Sequence, residues 1–157
     1  MKKVKVLFLC THNSARSQMA EGLLKHYYSD SYEAYSAGAT PTKVNPLAIK
    51  AMSEICIDIS GQFSKSIEEF RGKDIDLVVT VCKSTPKLSC PFCSSPDVFG
   101  RPAIINDTLP QAKRFLEHGF DDPSDAEGSD EEKINVFRAT RDEIKKWITE
   151  YFSNLRL

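Results

Sequence analysis

LFLCTHNSARSQMAEGLL, Leu7 to Leu24, is the stretch whose reading decides the fold. An apolar run that begins at Val4 passes through Leu9 into Cys10. Thr11, His12, Asn13, Ser14 and Ala15 then wrap round to Arg16, where a helical pattern takes over. Continuous apolar runs are typical of strands covered on both faces, and Asp76 to Val81 (DLVVTV) reads the same way. Both are expected to be strands of a parallel sheet.

Between them the periodicity predicts a helix from about Ser14 to Tyr28, with Met19, Leu23 and Tyr27 on one face, and a short strand from Tyr32 to Ala37 broken by Gly38. Asn45 followed by Pro46 is a cap and a first-turn proline, and Ala48, Met52 and Ile55 recur at helical spacing. Cys56, on the apolar side of that helix, is expected in the core. Near the end, Ser129 and Glu132 form a capping-box pattern ahead of Ile134, Phe137, Ile144, Ile148 and Tyr151, which share a helix face. Lys83 to Glu117 is the least regular region and carries Pro86, Pro91, Pro96, Pro102 and Pro110; a short helix from about Leu109 to Leu116 and a fourth strand near Gly119 are expected there. Alternating strands and helices imply an α/β fold: one doubly wound domain over residues 1–157, with a four-stranded parallel sheet flanked by helices and right-handed crossovers.

A chain of 157 residues buries roughly 70% of the surface its unfolded form exposes, so it needs no disulfide or metal to fold. With Lys+Arg 21 against Asp+Glu 22 the formal charge is -1, which supplies no basic excess for sequence-independent binding to nucleic acid. No segment approaches the roughly 20 apolar residues of a membrane helix. Lys5, then Thr11, His12 and Asn13, interrupt the amino-terminal run before it resembles a signal peptide. The expected protein is a cytoplasmic monomer with its cysteines reduced at rest.

In such a sheet, ligands bind beyond the carboxyl ends of the strands, where the loop after the first strand meets a helix amino terminus. Cys10 sits there. Unpaired backbone N–H groups and the helix dipole favour both a bound oxyanion and a thiolate, and cysteines so placed ionise at pKa values of ~3.5–7.5. The planar guanidinium of Arg16 grips two oxygens of a tetrahedral anion in a fork that lysine cannot copy. Small Ser14 and Ala15 let the backbone curl round the anion, and the Ser17 hydroxyl is placed to hydrogen-bond the Cys10 sulfur. The plainer alternative makes Cys10 an ordinary buried cysteine and Arg16 a solvated helix residue.

CTHNSARSQMAEG, together with YSAG at 35–38, VNP at 44–46, DLVVTVC at 76–82, GFDDP at 119–123 and VFRATRDEI at 136–144, resembles the thioredoxin-coupled arsenate reductases over nearly the whole chain. That family shares its fold with the low-molecular-weight protein tyrosine phosphatases. The resemblance implies that Cys10 is the nucleophile, that Thr11 to Arg16 bind the oxyanion, and that Asp122 is the general acid. It further implies that Cys82 attacks the Cys10 sulfur and that Cys90 carries the disulfide outward to thioredoxin. No tightly bound cofactor is implied; phosphate and sulfate would compete with arsenate.

The spacing from Cys82 to Cys90 is one residue longer than the family pattern, and Cys93 adds a CPFC pair that makes it an alternative recycling thiol. Cys82, Cys90 and Cys93, completed by His118, also have the residue types of a zinc site. Asn13, Glu21 and Ser36 match positions that surround a potassium ion in some reductases of this family, but Lys65 stands where those members have an acidic residue. Its ammonium is expected to replace the ion. The second functional reading is a phosphatase acting through a Cys10 phosphoenzyme. Against it, Pro123 is followed by Ser124 rather than by the aromatic residues that shape a phosphotyrosine slot. The third, a non-catalytic redox or zinc module, leaves Arg16 and Asp122 without a task. The segment from about 97 to 113 is longer than in compact reductases.

Overall fold

Val6, Leu7, Phe8 and Leu9 have no exposed surface, and the strand they form, β1 (Val4–Cys10), runs through the interior of a four-stranded parallel sheet. The computed structural model describes residues 2–83 and 111–155. In chain order the elements are β1, α1 (Arg16–Tyr28), β2 (Tyr32–Gly38), α2 (Pro46–Ser53), a 3-10 turn (Ile67–Phe70), β3 (Asp74–Thr80), β4 (Gln111–Glu117), a second 3-10 turn (Pro123–Asp125) and α3 (Asp130–Asn154). The strand order is β2-β1-β3-β4, so β3 lies beside β1 as the expected topology requires. In register, Leu9 faces Thr80 on one side and Ala37 on the other.

Helix α1 packs on β1, β2 and α3, and α2 packs on α3. The Phe8 ring meets Trp147 and Phe152 of α3 edge to face, at 6.4 and 6.2 Å between centroids. Side chains alternate along a strand, so Phe8 anchors the α3 layer while Leu7 and Leu9 fill the opposite face. The helix ends follow their local chemistry. Asn45 accepts from Leu47 N–H, with Pro46 as the first helical residue of α2. Ser129 and Glu132 close a reciprocal capping box at α3.

Several expectations are corrected. No helix forms over the described part of residues 109–116: β4 occupies Gln111–Glu117 and pairs with β3 from Asp74↔Gln111 to Thr80↔Glu117. Ala112, Phe115 and Leu116 also fit a helical stripe, and Gln, Lys, Arg, Leu and Glu are helix formers. Pairing along the open edge of β3 overrides that local preference. The Lys113 ammonium lies 2.6 Å from the Asp76 carboxylate across the two strands. Charged side chains on this edge strand also discourage pairing with another chain.

The fourth strand therefore precedes Gly119, although its ladder continues: His118 N–H donates to Thr80 O and Phe120 N–H to Val81 O. Cys56 is exposed and adopts φ 62° just past α2, where the chain turns away from the helix face. It is not a core residue. Tyr27, in the last turn of α1, is 39% exposed, while Met19 and Leu23 are fully buried. Cys90, Cys93 and most of the segment from 97 to 113 lie outside the described residues.

Candidate active site

The loop between Cys10 and Arg16 is held by its carbonyl oxygens. Thr11 O accepts from Thr40 N–H, His12 O from Thr42 N–H and Ser14 O from Asn45 N–H. Asn13 O accepts from the Gln18 side-chain amide and from the Ser64 hydroxyl. Within a trans peptide the C=O and the following N–H point in opposite directions. Carbonyls turned outward on these donors leave the N–H groups from His12 to Ala15 facing the concave side, which makes a nest for an anion.

Ala15 provides no side-chain cap to α1, and the first turn of the helix holds no acidic residue of its own to compete for the helix dipole. Gly38 permits the close approach. A Cβ there would stand 2.8 Å from both Asn13 N and Thr11 O and 3.0 Å from Cys10 O, and these backbone atoms cannot yield.

Cys10 is 2% exposed and is a free thiol. Its Sγ is 2.8 Å from Ser17 Oγ. The direction of that hydrogen bond follows from Asn13, which has φ 49° and is fully buried. Asn13 Oδ1 accepts from the Lys65 backbone N–H at 2.8 Å, which fixes the orientation of its amide. Asn13 Nδ2 therefore donates to Ser17 Oγ, also at 2.8 Å. The Ser17 hydroxyl is left to donate to Cys10, the arrangement that stabilises a thiolate.

Arg16 is 5% exposed. Its Nη1 donates to Phe120 O at 3.1 Å and its Nη2 lies 3.3 Å from Asp122 Oδ2. Both partners arrive through the continued β3–β4 ladder, so sheet register brings the end of GFDDP to the loop from which Arg16 emerges. Asp122 Oδ1 also accepts from Ser124 N–H at the start of the 3-10 turn. Cys82 is 1% exposed, just beyond β3, where Val81 N–H bonds to Leu9 O. Its carbonyl oxygen would lie 3.0 Å from a Cβ on Gly119. Cys82 is disulfide-bonded.

Glu21, Ser36, Asn13 and Lys65 also come together. Ser36 Oγ donates to Glu21 Oε2, and Lys65 Nζ is 3.7 Å from that same oxygen. Lys65 is 9% exposed, donates to Phe63 O at 2.8 Å and stands 4.6 Å over the Phe63 ring. Burial pushes its ammonium below the ordinary lysine range, and the Glu21 carboxylate opposes that shift. Lys65 is no solvated surface lysine, and these residues do not fit a potassium ion: the Lys65 ammonium, together with that of Lys25 at 2.5 Å from Glu21 Oε1, already supplies positive charge beside Glu21 and would repel a further cation.

Sequence reasoning missed Gln18, Ser64 and Phe120 O as supports of the loop. A glutamine inside a helical pattern carries no signal of its target, and a backbone carbonyl carries none at all. His118, considered as a zinc ligand, stacks on Trp147 with 4.7 Å between ring centroids. Burial, reinforced by Lys83, holds its imidazole below the ordinary histidine range.

Residues 5–157 match the family described as low molecular weight phosphotyrosine protein phosphatase. An arsenate reductase from Halalkalibacterium halodurans is 47% identical over 94% of this chain and 94% of its own. The solved structure of an arsenate reductase in the phosphate binding state superposes with a TM-score of 0.70 at 29% identity, covering 98% of this chain and 99% of that one. A thioredoxin-dependent arsenate reductase of Corynebacterium glutamicum has a TM-score of 0.54 at 26% identity, covering 94% of this chain and 63% of that one.

Proposed function

We propose that this chain, which belongs to the low molecular weight phosphotyrosine protein phosphatase family and within it to the arsenate reductases, converts arsenate to arsenite through a relay of thiols. The Cys10 thiolate attacks arsenic, and one arsenate oxygen leaves as water with a proton supplied at Asp122. The loop N–H groups and the Arg16 fork hold the remaining oxygens and stabilise the charge that develops on them. Cys82 thiolate then attacks Cys10 Sγ. The Cys10–Cys82 bond forms, the sulfur–arsenic bond breaks with its electron pair passing to arsenic, and arsenite departs. Cys90 next attacks Cys82, which frees Cys10 and moves the disulfide outward, and the dithiol of thioredoxin reduces it. Cys93 is the alternative to Cys90 in that step. No tightly bound cofactor is needed, and the working protein is a cytoplasmic monomer.

The observation that favours reduction over ester hydrolysis is Cys82. It is buried just past β3, whose continuation pairs with the end of β1 beside Cys10. A phosphatase has no use for a second sulfur there.

The test is arsenate-dependent NADPH oxidation with thioredoxin and thioredoxin reductase, comparing the wild type with Cys82→Ser. Turnover is expected in the wild type and not in the variant. Absence of turnover in both, with aryl phosphate hydrolysis that survives Cys82→Ser, would make the phosphatase reading correct. In the same assay, potassium and sodium chloride at equal ionic strength are expected to support equal rates, because Lys65 occupies the cation's place. A several-fold activation by potassium would overturn that assignment.

A further inference from the structure

Beneath the anion loop, away from its concave side, lies a chain of side-chain amides that the chemistry described so far does not use. Gln18, on the first turn of α1, has no exposed surface. Its Nε2 lies 3.0 Å from Asn13 O, 2.9 Å from Asn13 Oδ1 and 3.0 Å from Phe63 O. Gln62, from the loop after α2, places its own Nε2 2.8 Å from Gln18 Oε1 and 3.0 Å from the Gln18 backbone oxygen.

Each orientation in this chain is fixed by a group that has no choice. The Gln18 backbone carbonyl only accepts, so it turns the nitrogen of Gln62 toward α1. That nitrogen makes the Gln18 side-chain oxygen an acceptor, which turns the Gln18 nitrogen toward Asn13. Both oxygens of Asn13 are thereby held, its left-handed backbone with them. Asn13 in turn directs the Ser17 hydroxyl at Cys10. Gln62 touches neither Cys10 nor the concave side of the loop.

We propose that Gln62 and Gln18 are positioning residues for the reaction at Cys10, an inference that rests on the reading of Cys10 as the nucleophile. Gln18 Nε2 also faces the backbone oxygens of Asn13 and Phe63, so the loss of Gln62 does not turn the Gln18 amide over; it removes the donor that anchors the Gln18 side-chain oxygen and ties Gln18 to the loop after α2. The hold of Gln18 on the two Asn13 oxygens then loosens, Lys65 N–H alone keeps Asn13 Oδ1, and the aim of Asn13 Nδ2 on Ser17 Oγ, which directs the hydroxyl at sulfur, is less sharply fixed. A clamp that merely ties the loop after α2 to α1 predicts something different. Loosening it would open a buried site and leave the sulfur as reactive as before, or more so.

The two are separated by iodoacetamide alkylation of the reduced full-length chain, with peptides resolved by mass. Exposed Cys56 serves as the internal standard. Gln62→Met keeps the length of the side chain and removes its hydrogen-bonding groups. Alkylation of Cys10 relative to Cys56 is expected to slow roughly fivefold in this variant, because a hydrogen bond to a charged acceptor is among the stronger ones. Gln18→Met should do the same; if that buried substitution fails to fold, the partly exposed Gln62 carries the test. A Cys10 to Cys56 ratio that is unchanged or increased, with a lowered melting temperature, would overturn the proposal and leave a structural tie only. The readout needs no turnover. Slower alkylation in a protein that does not reduce arsenate would support the positioning role of Gln62 and Gln18 while rejecting the reductase reading.

Discussion

Replacing Cys10 with serine is expected to abolish arsenate reduction, a loss on the order of 10⁴-fold or more, while phosphate still binds. The reason is electronic before it is geometric. Two electrons must reach arsenic, and they come from the joining of two sulfurs into a disulfide. A serine oxygen cannot be attacked by Cys82 to complete that exchange, so even an oxygen–arsenate ester would have no route to arsenite. The substitution itself is small. Cys10 is 2% exposed and already hydrogen-bonded to Ser17 at 2.8 Å, and a serine hydroxyl finds the same partner. The carbonyl contacts that shape the loop involve backbone, so the nest for the anion persists. Thioredoxin-coupled turnover, measured beside calorimetric phosphate binding, reports both halves of the expectation. Turnover within tenfold of wild type would show that another thiol is the nucleophile.

Arg16→Lys keeps the charge, yet turnover is expected to fall by roughly 10²–10³-fold, the usual cost of removing one preorganised oxyanion donor. The two guanidinium nitrogens face different partners, Nη1 toward Phe120 O at 3.1 Å and Nη2 toward Asp122 Oδ2 at 3.3 Å. One lysine nitrogen cannot hold both. The guanidinium is therefore held between the loop from Cys10 to Arg16 and the loop that bears Asp122, and a planar fork, unlike an ammonium, can present two N–H groups to one tetrahedral anion. With lysine, phosphate affinity should drop along with turnover, since the grip exists in the ground state as well as in the transition state. A loss smaller than tenfold would mean that the backbone nest does nearly all of the binding and that Arg16 serves chiefly to hold Asp122.

Much of this protein is legible where the signal is local. The capping box of Ser129 and Glu132 and the cap at Asn45 with Pro46 each rest on residues a few positions apart, and each is present. The apolar run into Cys10, followed by small and polar residues and a helix, is read as strand, loop and helix from consecutive residues, although the partners of all three lie elsewhere in the chain. Cys56 and β4 fail for the same reason in opposite senses. Helical periodicity placed Cys56 inside, but α2 stops at Ser53 and the positive φ at Cys56 turns its side chain out. Residues 111–117 have the composition of a helix, and the open edge of β3 makes them a strand. Propensity is worth tenths of a kcal/mol per residue, whereas a ladder satisfies every backbone donor and acceptor facing it.

The order of elements from β1 to β3, the terminal helix and the position of the loop between Cys10 and Arg16 are properties of the sequence alone, because they depend on hydrophobic period, caps and nearest neighbours. Tertiary structure decided the rest. It delivered Asp122 and the Phe120 carbonyl to Arg16 across the β3–β4 ladder, and it drove Lys65 inward against Glu21. It also aligned Gln62, Gln18, Asn13 and Ser17 toward the Cys10 sulfur. The physical reason is common to all three: a buried polar group must find a partner, and which partner it finds depends on segments that folding brings together from distant parts of the chain.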